Sequence, residues 1–428
     1  APHLRRRKAH PSGAGAGVNA AATCCTAKTA VIWPGCAAGL SPRIMTDPRP
    51  IAFFDMQAQQ RLIRPDLDRR IAAVLDGGRF VQGPEVDEVE RALAGYTGAA
   101  HCVGVSSGTD ALQIAMMAEG IGRGDAVFLP AFTYTATAEV PLVLGATPIF
   151  VDVDPVTFNI SLTDLERRIA LVEREGRLRP RAVIGVDLYG LPADWPAIEA
   201  ICAARGMFAL DDAAQAFGGV LHNRRLGTWG DVTALSFYPT KTLGCYGDGG
   251  ALLTDDPDRA ELYRSLRTHG EGRTRYEVLR TGMNGRLDTI QAAVLLAKLP
   301  LLEGELAARR RLAGLYAARL AGRVGVPAEA AGATSAWGIY TVTLRDAAQR
   351  AAVQAAMGAA GVPSAIYYPR PLHHQPAYAA HHAGSLAGGP PPLPVSESLC
   401  ERVLSLPMHG YLDEAGAARV CDAVLAGV

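Results

Sequence analysis

One lysine stands in a stretch of the chain that could hold an aldehyde cofactor. Residues 232–253 begin as an apolar, β-branched strand, break at Pro239, and then present Lys241 ahead of a glycine-rich run. Only four of the 42 basic residues are lysines, and arginine cannot form an imine because it stays protonated. A lysine whose pKa is lowered by its surroundings can attack a carbonyl carbon. We therefore predict that Lys241 holds a carbonyl cofactor as a Schiff base; a surface lysine in a turn is the alternative.

A turn of sequence Ser-Ser-Gly-Thr-Asp, at residues 106–110, has the composition of an anion site. It lies between a predicted strand and a predicted helix, where the N–H groups of Gly108 and Thr109 would face an anion that the helix dipole favours. Ser236, five residues before Lys241, could bind the same phosphate. An ordinary helix cap is the alternative for the turn, and a buried hydroxyl bonded to backbone is the alternative for Ser236.

Two neighbouring carboxylates, Asp211 and Asp212, end a predicted strand. Adjacent side chains on a strand face opposite ways, so only one of the pair can face a site. A carboxylate aimed at a pyridine nitrogen would keep that nitrogen protonated and make the ring an electron sink. A cap for the segment after Asp212 is the alternative.

Three further candidates lie at a strand end or in a loop. Tyr134 follows a predicted strand and could stack on a planar ring, with packing in the core as the alternative. Asn284 and Arg286 belong to an irregular loop rich in glycine and arginine, at residues 269–286. Solvated loop side chains are the alternative for both.

These residues are positioned by an alternation of strands and helices that begins near residue 100. Strands are predicted at residues 101–105, 126–129, 148–153, 182–186 and 207–210, and helices at residues 111–118, 135–144, 195–204 and from a capping box at residues 163–166. Such alternation predicts a mainly parallel, doubly wound sheet with helices on both faces. Ligands of these sheets bind at the carboxyl ends of the strands, where most of the candidates fall.

The chain on either side of this region has other patterns. A strand-like start at residues 51–60 precedes predicted helices at residues 67–75 and 86–96, and the sheet region is followed by predicted helices at residues 258–267, 287–299 and 303–320. Beyond them we predict strands at residues 339–344 and 365–368, helices at residues 347–360 and 414–425, and a loop rich in Pro, Gly and His up to about residue 394. This change of pattern indicates a smaller α+β domain after the large one.

Composition limits the class of protein. The chain has 428 residues, a formal net charge of +0 and 49% hydrophobic residues, which suits a globular protein of two or three domains. The balanced charge argues against nucleic acid or an anionic membrane as a partner, and no apolar run approaches the ~20 residues of a membrane span. The eight cysteines show no metal-ligand spacing, so we expect reduced thiols, a cytoplasmic location and no metal site.

Residues 1–50 differ from the rest of the chain. They are rich in Ala, Gly, Pro and Arg and show no periodicity. Such a composition cannot bury a core, so we predict a disordered or non-native extension, with Met45 as the natural start.

Seven motifs occur together in the order of a known family. They read Ser-Ser-Gly-Thr-Asp-Ala-Leu, Pro-Ala-Phe-Thr-Tyr-Thr-Ala-Thr-Ala, Asp-Asp-Ala-Ala-Gln-Ala-Phe-Gly, Ser-Phe-Tyr-Pro-Thr-Lys, Gly-Asp-Gly-Gly-Ala, Asn-Gly-Arg-Leu-Asp-Thr-Ile-Gln-Ala and Leu-Ser-Leu-Pro-Met-His. Over residues 51–428 the chain thus resembles the DegT-type family of pyridoxal-phosphate (PLP) nucleotide-sugar aminotransferases.

The resemblance implies an α/β fold-type I aminotransferase that works as a homodimer with active sites at the subunit interface. Its large PLP-binding domain, expected at residues 51–300, would contain a mostly parallel seven-stranded sheet flanked by helices. A smaller C-terminal α+β domain would follow at residues 301–428.

The resemblance also implies roles for the candidate residues. Lys241 would hold PLP and move protons, and Asp212, the second acid of the family's Glu-Asp-Ala-Ala-Gln pattern, would pair with the pyridine nitrogen. Gln215 would contact the ring near its hydroxyl, Tyr134 would stack on the ring, and Asn284 would reach the phosphate of the partner subunit's cofactor. The phosphate of the chain's own cofactor would be held by Gly108, Thr109 and Ser236. Lys241 argues against the family branch that has histidine at this position and catalyses a dehydration.

Within the family, the motifs around Lys241 and Asn284 are most similar to enzymes that aminate UDP-2-acetamido-2-deoxy-3-oxo-glucuronate for O-antigen-type polysaccharides, with glutamate as the expected donor. There Arg286 would meet the sugar carboxylate, a suitable role for a planar, charged donor. The chain departs from this branch at Tyr367, where histidine is common, and in Asn-Gly-Arg, which replaces Asn-Ser-Arg. The alternatives are amination of a 3- or 4-keto-6-deoxy nucleotide sugar, and a catalytically silent homologue with a binding or regulatory role.

Overall fold

The structure is a computed structural model that describes residues 50–274, 276–387 and 389–428. The prediction of a disordered or non-native extension, and the prediction for Met45, lie outside these residues except at Pro50. The strands are β1 (His101–Val105), β2 (Asp125–Pro130), β3 (Thr147–Val151), β4 (Arg179–Val186), β5 (Phe208–Asp212), β6 (Val220–Leu221), β7 (Arg224–Arg225), β8 (Val232–Ser236), β9 (Gly250–Thr254), β10 (Ala333–Thr334), β11 (Tyr340–Thr343) and β12 (Val403–Leu406).

Helices connect these strands and flank them. They are α1 (Met56–Gly77), α2 (Pro84–Thr97), α3 (Gly108–Ala118), α4 (Ala136–Val143), α5 (Leu162–Glu175), α6 (Trp195–Ala203), α7 (Pro257–Leu266), α8 (Thr289–Lys298), α9 (Leu302–Leu320), α10 (Ala347–Ala359), α11 (Ala379–Gly384), α12 (Pro394–Arg402) and α13 (Glu414–Leu425). Short 3₁₀ turns lie at Leu188–Gly190, Leu299–Leu301 and Leu372–His374.

Seven of the strands in the described residues form one twisted sheet in the order β1-β9-β8-β5-β4-β2-β3. Neighbours from β8 to β3 pair in parallel, and only β9, between β8 and β1, runs antiparallel to both of its neighbours. The strands are nearly continuous runs of buried residues because helices cover both faces. The predicted mostly parallel, seven-stranded sheet is confirmed.

The smaller sheet of β11 and β12 has a core of its own. The two strands pair antiparallel, with Tyr340 opposite Leu406, and their apolar side chains pack with those of α9, α10 and α13. This α+β arrangement follows the large sheet in the chain, as predicted, and the boundary at residue 300 stays a prediction. In the part of the chain that the structure describes, no helix is long and apolar enough to cross a membrane.

The predicted helix start at residues 163–166 is wrong by two residues. The first residue of α5 is Leu162, and Ser161, in an extended conformation, is its cap: the Ser161 hydroxyl accepts the N–H of Asp164 at 3.4 Å. The Asp164 carboxylate is engaged elsewhere, with the N–H of Asp152 and with Arg168. Thr163 therefore lies inside the first turn.

Two predicted strands are also wrong. Residues 51–60 form no strand, because α1 begins at Met56 with Asp55 as its cap, accepting the N–H of Ala58 at 2.8 Å. Residues 365–368 contribute only a single bridge, from Ala365 to Ser405, and prolines at 363 and 369 limit further pairing. The strand that completes the small sheet is instead β12, which the sequence pattern does not reveal because α12 precedes it directly.

Candidate functional site

A cavity of about 420 Å³ opens where β4, β5 and β8 end. This is the edge of the sheet at which the strand–helix alternation predicts a ligand. Its lining includes eight of the ten predicted site residues, namely Gly108, Thr109, Tyr134, Asp212, Gln215, Ser236, Lys241 and Tyr367. Asn284 and Arg286 are not among the lining residues.

Lys241 lies in the connection between β8 and β9, at residues 237–249. Its backbone N–H bonds the carbonyl of Tyr238 at 2.9 Å, which closes a turn around Pro239. The side chain is half-buried, and within the described residues its amine makes no hydrogen bond or ion pair. Burial lowers the pKa of Lys241, while the nearby Asp212 carboxylate opposes this by favouring the ammonium. A lysine in this setting is available as a nucleophile and as a proton carrier.

A second lysine donates a hydrogen bond to this turn. Lys298, at the end of α8, is fully buried, and its amine donates to the carbonyl of Gly244 at 2.6 Å and lies 4.1 Å from the centroid of the Tyr246 ring. A side chain at Gly244 would place its Cβ 2.6 Å from the carbonyl oxygen of Pro239, so the turn has space only for glycine at this position. Sequence reasoning missed this support, although the scarcity of lysine was a usable signal.

The side chains of Asp211 and Asp212 face opposite sides of β5, as strand geometry predicts. Asp212 lines the cavity, where its carboxylate accepts the Thr137 hydroxyl at 3.2 Å and the N–H of Ala214 at 3.3 Å. Asp211 faces the other side of β5 and accepts the Thr233 hydroxyl at 3.0 Å. Burial raises the pKa of Asp212, and both these hydrogen bonds and the charge of Lys241 oppose that rise. The cavity thus holds a buried carboxyl group near the amine.

Gln215 is fixed at both ends of its side-chain amide. Its oxygen accepts the N–H of Tyr189 at 2.9 Å, and its nitrogen donates to the hydroxyl of Tyr368 at 3.1 Å. The Tyr189 hydroxyl in turn bonds the carbonyl of Tyr367. This chain of contacts ties the segment after residue 365 to the wall of the cavity, so that Gln215 keeps one orientation.

The start of α3 forms an open cradle of backbone donors. Ser107 caps the helix by accepting the N–H of Asp110 at 3.0 Å, whereas the N–H groups of Gly108 and Thr109 have no acceptor in the described part of the chain. A Cβ on Gly108 would lie 2.7 Å from the Cβ of Ser236. Glycine therefore lets the helix start approach Ser236, and the two free N–H groups and the helix dipole favour an anion there.

Aromatic side chains surround the mouth of the cavity. Tyr134 lines it and is 56% exposed, with its ring 6.4 Å from that of Tyr368 and tilted by 42°. Tyr367 also lines the cavity and lies 6.3 Å from the Phe53 ring. The lining residues missed from the sequence include Phe54, Thr133, Tyr238, Asp248 and Tyr368.

Asn284 and Arg286 follow the outer edge of β1. Their backbones bridge to Thr268 and Val105 respectively, and the N–H of Ser106 donates to the carbonyl of Gly285 at 3.0 Å. The side chain of Asn284 is exposed and that of Arg286 is half-buried. The loop therefore lies beside the turn that leads to α3, and the roles predicted for these two residues stay predictions.

Comparison with known proteins gives one consistent family. The sequence profile of the DegT/DnrJ/EryC1/StrS aminotransferase family matches residues 62–425. The chain is 43% identical over 375 residues to the UDP-2-acetamido-2-deoxy-3-oxo-D-glucuronate aminotransferase of Pseudomonas aeruginosa, a match that covers 87% of this chain and 99% of that protein. It is 40% identical over 379 residues to the dTDP-3-amino-3,4,6-trideoxy-alpha-D-glucose transaminase of Streptomyces venezuelae, with 87% and 95% covered.

A solved structure agrees with these sequence matches. NtdA of Bacillus subtilis, crystallised with the cofactor PMP, superimposes on this chain with a TM-score of 0.76 at 28% sequence identity. The match covers 85% of this chain and 82% of that one.

Proposed function

Because this chain belongs to the DegT/DnrJ/EryC1/StrS aminotransferase family, we propose that it transfers an amino group from an amino acid to a keto carbon of a nucleotide sugar, using PLP bound in the cavity of about 420 Å³. The observation that carries this proposal is the meeting of three groups in that cavity. They are the half-buried amine of Lys241, the buried carboxyl of Asp212 and the free N–H groups at the start of α3.

The residues present fit this cofactor. The N–H groups of Gly108 and Thr109 would hold its phosphate, helped by the hydroxyls of Thr109 and Ser236. Asp212, fixed by Thr137, would hold a proton on the ring nitrogen. Gln215 would face the ring hydroxyl, and Tyr134 would cover the ring. When bound, PLP supplies a carbonyl that accepts the donor's amino group and a ring that withdraws electrons from the carbon losing its proton.

The chain's own part in the reaction is to move protons to and from the reacting carbons. Burial lowers the pKa of Lys241, so a neutral amine is available to take the proton from the α-carbon of the donor. The same amine can return a proton to the carbon that receives nitrogen in the second half of the reaction. Asp212 would keep the ring nitrogen of the bound cofactor protonated, because two hydrogen bonds favour the charged form of its carboxylate.

For the acceptor we propose UDP-2-acetamido-2-deoxy-3-oxo-glucuronate, with glutamate as donor. The likeness to the Pseudomonas aeruginosa enzyme supports this, as does Arg286, whose guanidinium could pair with a sugar carboxylate. The product would be an aminated uronic acid for a surface polysaccharide such as the O-antigen of lipopolysaccharide. The likeness to the Streptomyces venezuelae transaminase supports a second candidate, a 3- or 4-keto-6-deoxy nucleotide sugar.

An amination assay with two sugar nucleotides tests these candidates. The purified PLP-loaded protein is given glutamate with either the 3-oxo-uronate or a 4-keto-6-deoxy-hexose nucleotide, and 2-oxoglutarate release is measured. We expect turnover of the uronate and little or none of the deoxy sugar. Turnover of the deoxy sugar alone would make Tyr367 a better guide to the substrate than Arg286. A protein that stays colourless when PLP is added, and that turns over neither sugar, would identify a silent homologue.

We also propose a homodimer with shared active sites and a cytoplasmic location. The exposed side chain of Asn284 lies outside the cavity of its own chain, as a residue serving a partner's cofactor would. The location is supported by five buried cysteines, Cys102, Cys202, Cys245, Cys400 and Cys421, which form no disulfide among the residues that the structure describes.

A further inference from the structure

Two histidines and a glutamate meet outside the lining of the cavity. His373 and His374 lie in the 3₁₀ turn Leu372–His374, and Glu397 lies in the first turn of α12. One donor atom of each residue lies within 4.8 Å of the donor atoms of the other two. The three side chains thus bring two imidazole nitrogens and a carboxylate oxygen together from two separate elements.

Two of the three distances between donor atoms are close to those of a tetrahedral cation site. Nε2 of His373 lies 3.2 Å from Oε1 of Glu397, and Nε2 of His374 lies 3.8 Å from the same oxygen. Donors that bind zinc at their usual bond lengths are separated from one another by about 3.3 Å. The His374 side chain is 55% exposed, so it can close the remaining few tenths of an ångström without disturbing the core.

The cluster has one buried and two partly exposed members. His373 is 3% exposed and so anchors the cluster, whereas 42% of Glu397 is exposed and opens the cluster to solvent. The guanidinium of Arg168, a positive charge that acts on His373 and His382, is already held by Asp164 at 2.5 Å and by the carbonyls of Pro391 and Pro392.

Further imidazole nitrogens lie near the buried ring of His373. The His382 ring lies 5.0 Å from the His373 ring, and its Nδ1 is buried without a hydrogen-bond partner among the described residues. Nδ1 of His373 is likewise buried and unpartnered in that part of the chain. An imidazole-rich group with unsatisfied nitrogens is suited to a borderline cation such as zinc rather than to magnesium, which prefers oxygen.

We propose that His373, His374 and Glu397 form a binding site for a divalent cation of the zinc class, with water in the fourth position. The cation would join the turn at 372–374 to the first turn of α12. The same turn is held to the end of β2 by a hydrogen bond from the N–H of Leu372 to the carbonyl of Ala131 at 2.8 Å. The site would therefore secure the segment that follows Tyr367 and Tyr368, and its role is structural.

Metal uptake by the untagged, PLP-loaded protein tests the proposal. After treatment with EDTA and dialysis, the protein is incubated with Zn²⁺ or Co²⁺, separated from free metal by gel filtration and analysed for metal content. We expect one cation per chain, and a melting temperature raised by a few degrees over that in EDTA. Bound Co²⁺ should show the visible bands of a tetrahedral nitrogen and oxygen site without thiolate-to-metal charge transfer, which excludes binding by cysteines.

Three variants locate the cation. His374→Ala and Glu397→Gln change side chains that are about half exposed, so both should fold, and each should bind Zn²⁺ at least about tenfold more weakly. His381→Ala, which removes an exposed histidine outside the cluster, is the matched control and should bind as the original chain does. Equal Zn²⁺ uptake by all three variants, or no uptake by the original chain, would overturn the proposal and leave the 3.2 Å contact as a hydrogen bond only.

Discussion

At the scale of single residues, Lys241 combines two properties that are rarely combined on a protein surface. Its amine makes no hydrogen bond or ion pair within the described residues, and burial lowers its pKa. The Asp212 carboxylate opposes that shift, so the amine remains basic enough to take a proton. A nucleophile and a proton carrier can therefore be one group.

The first prediction concerns this amine. Lys241→Ala should reduce kcat by more than about 10³-fold and abolish the visible absorbance of the PLP-loaded protein, because both the imine bond and the proton transfer are lost. Lys241→Arg is the matched variant: it keeps a positive charge near Asp212 but cannot form an imine. If Lys241→Arg retained visible absorbance and turnover, the residue would act through its charge alone.

The second prediction concerns the sugar carboxylate. Arg286→Ala should lower kcat/KM for the 3-oxo-uronate by about 10²-fold, the usual effect of losing a charge-assisted pair, and should change kcat/KM for a neutral keto-sugar only slightly. The measurement is a pair of steady-state assays on the same enzyme preparations. An equal loss with both sugars would mean that Arg286 supports the loop beside β1 instead of reading the substrate.

The sequence predicts that a residue belongs to the site where a single motif carries the role. It does not predict this where segments distant in the chain meet. Lys241 and Asp212 stand in short motifs whose local geometry decides which way they face. Tyr368, in contrast, lines the cavity with its hydroxyl bonded by Gln215, and 153 residues separate the two. No periodicity or spacing in the sequence encodes such a contact.

At the scale of elements, the turn between β8 and β9 depends on a buried cation. Lys298 donates to Gly244 across the turn, and burial lowers the pKa of Lys298 to about 8. An unfolded chain would keep this lysine protonated up to its ordinary pKa of 10.5. Between these two values the unfolded state binds more protons than the folded state, so raising the pH favours folding.

The third prediction follows from that difference. Between pH 8 and about 10, Lys298 should add up to about 3 kcal/mol to the free energy of unfolding as the pH rises. Lys298→Met, which keeps the length of the side chain and removes the titration, should flatten this dependence. The measurement is the urea-unfolding midpoint of both chains across this pH range. Parallel pH profiles would show that Lys298 does not titrate differently in the folded state.

The fourth prediction concerns the start of α3. Gly108→Ala should weaken PLP binding at least about tenfold, because the new Cβ would lie 2.7 Å from the Cβ of Ser236 and force the cradle of N–H groups apart. Gly95→Ala, inside α2 and with no atom within 4 Å of the new Cβ, is the control and should leave PLP binding unchanged. Titration of the apoprotein with PLP measures both. Equal affinity of the two variants would contradict a cradle at α3.

Element prediction succeeded where burial is regular and failed at caps and near prolines. The strands from β1 to β5 are short apolar runs next to helices, and each was predicted within a few residues. The strand predicted at residues 365–368 was wrong because prolines flank it, and β12 was missed because it follows α12 without a turn.

At the scale of the whole molecule, the site residues fall into two groups. Eight predicted residues line one cavity of a single chain, whereas Asn284 and Arg286 lie on a neighbouring edge. The sequence pattern could not separate these groups, since it does not show which segments meet around one cavity. A homodimer in which each chain completes its partner's site would give both groups a function.

The fifth prediction is complementation between one inactive and one weakened chain. Asn284→Asp should weaken turnover, because a negative charge would face the phosphate of the partner's cofactor, and Lys241→Ala should abolish it. Mixing the two under conditions that exchange subunits should restore about a quarter of the activity, since half of the dimers would contain one intact site out of two. Each protein alone is the control, and no recovery in a mixture shown to contain heterodimers would mean that Asn284 serves its own chain.

The antiparallel strand β9 joins β8, which leads to the turn of Lys241, to β1, which leads to the anion cradle at the start of α3. Gly250 on β9 pairs with Ser236 on one side and with Val105, which leads to α3, on the other. The separation between the lysine turn and the anion cradle is thus set by main-chain hydrogen bonds, which side-chain replacements at the rim of the cavity leave in place. Loops at the rim, such as those with Arg286 and Tyr367, can change without altering that separation. The architecture is therefore evolvable, because substitutions in the rim loops can change the sugar that is accepted while the distance between the lysine turn and the anion cradle stays the same.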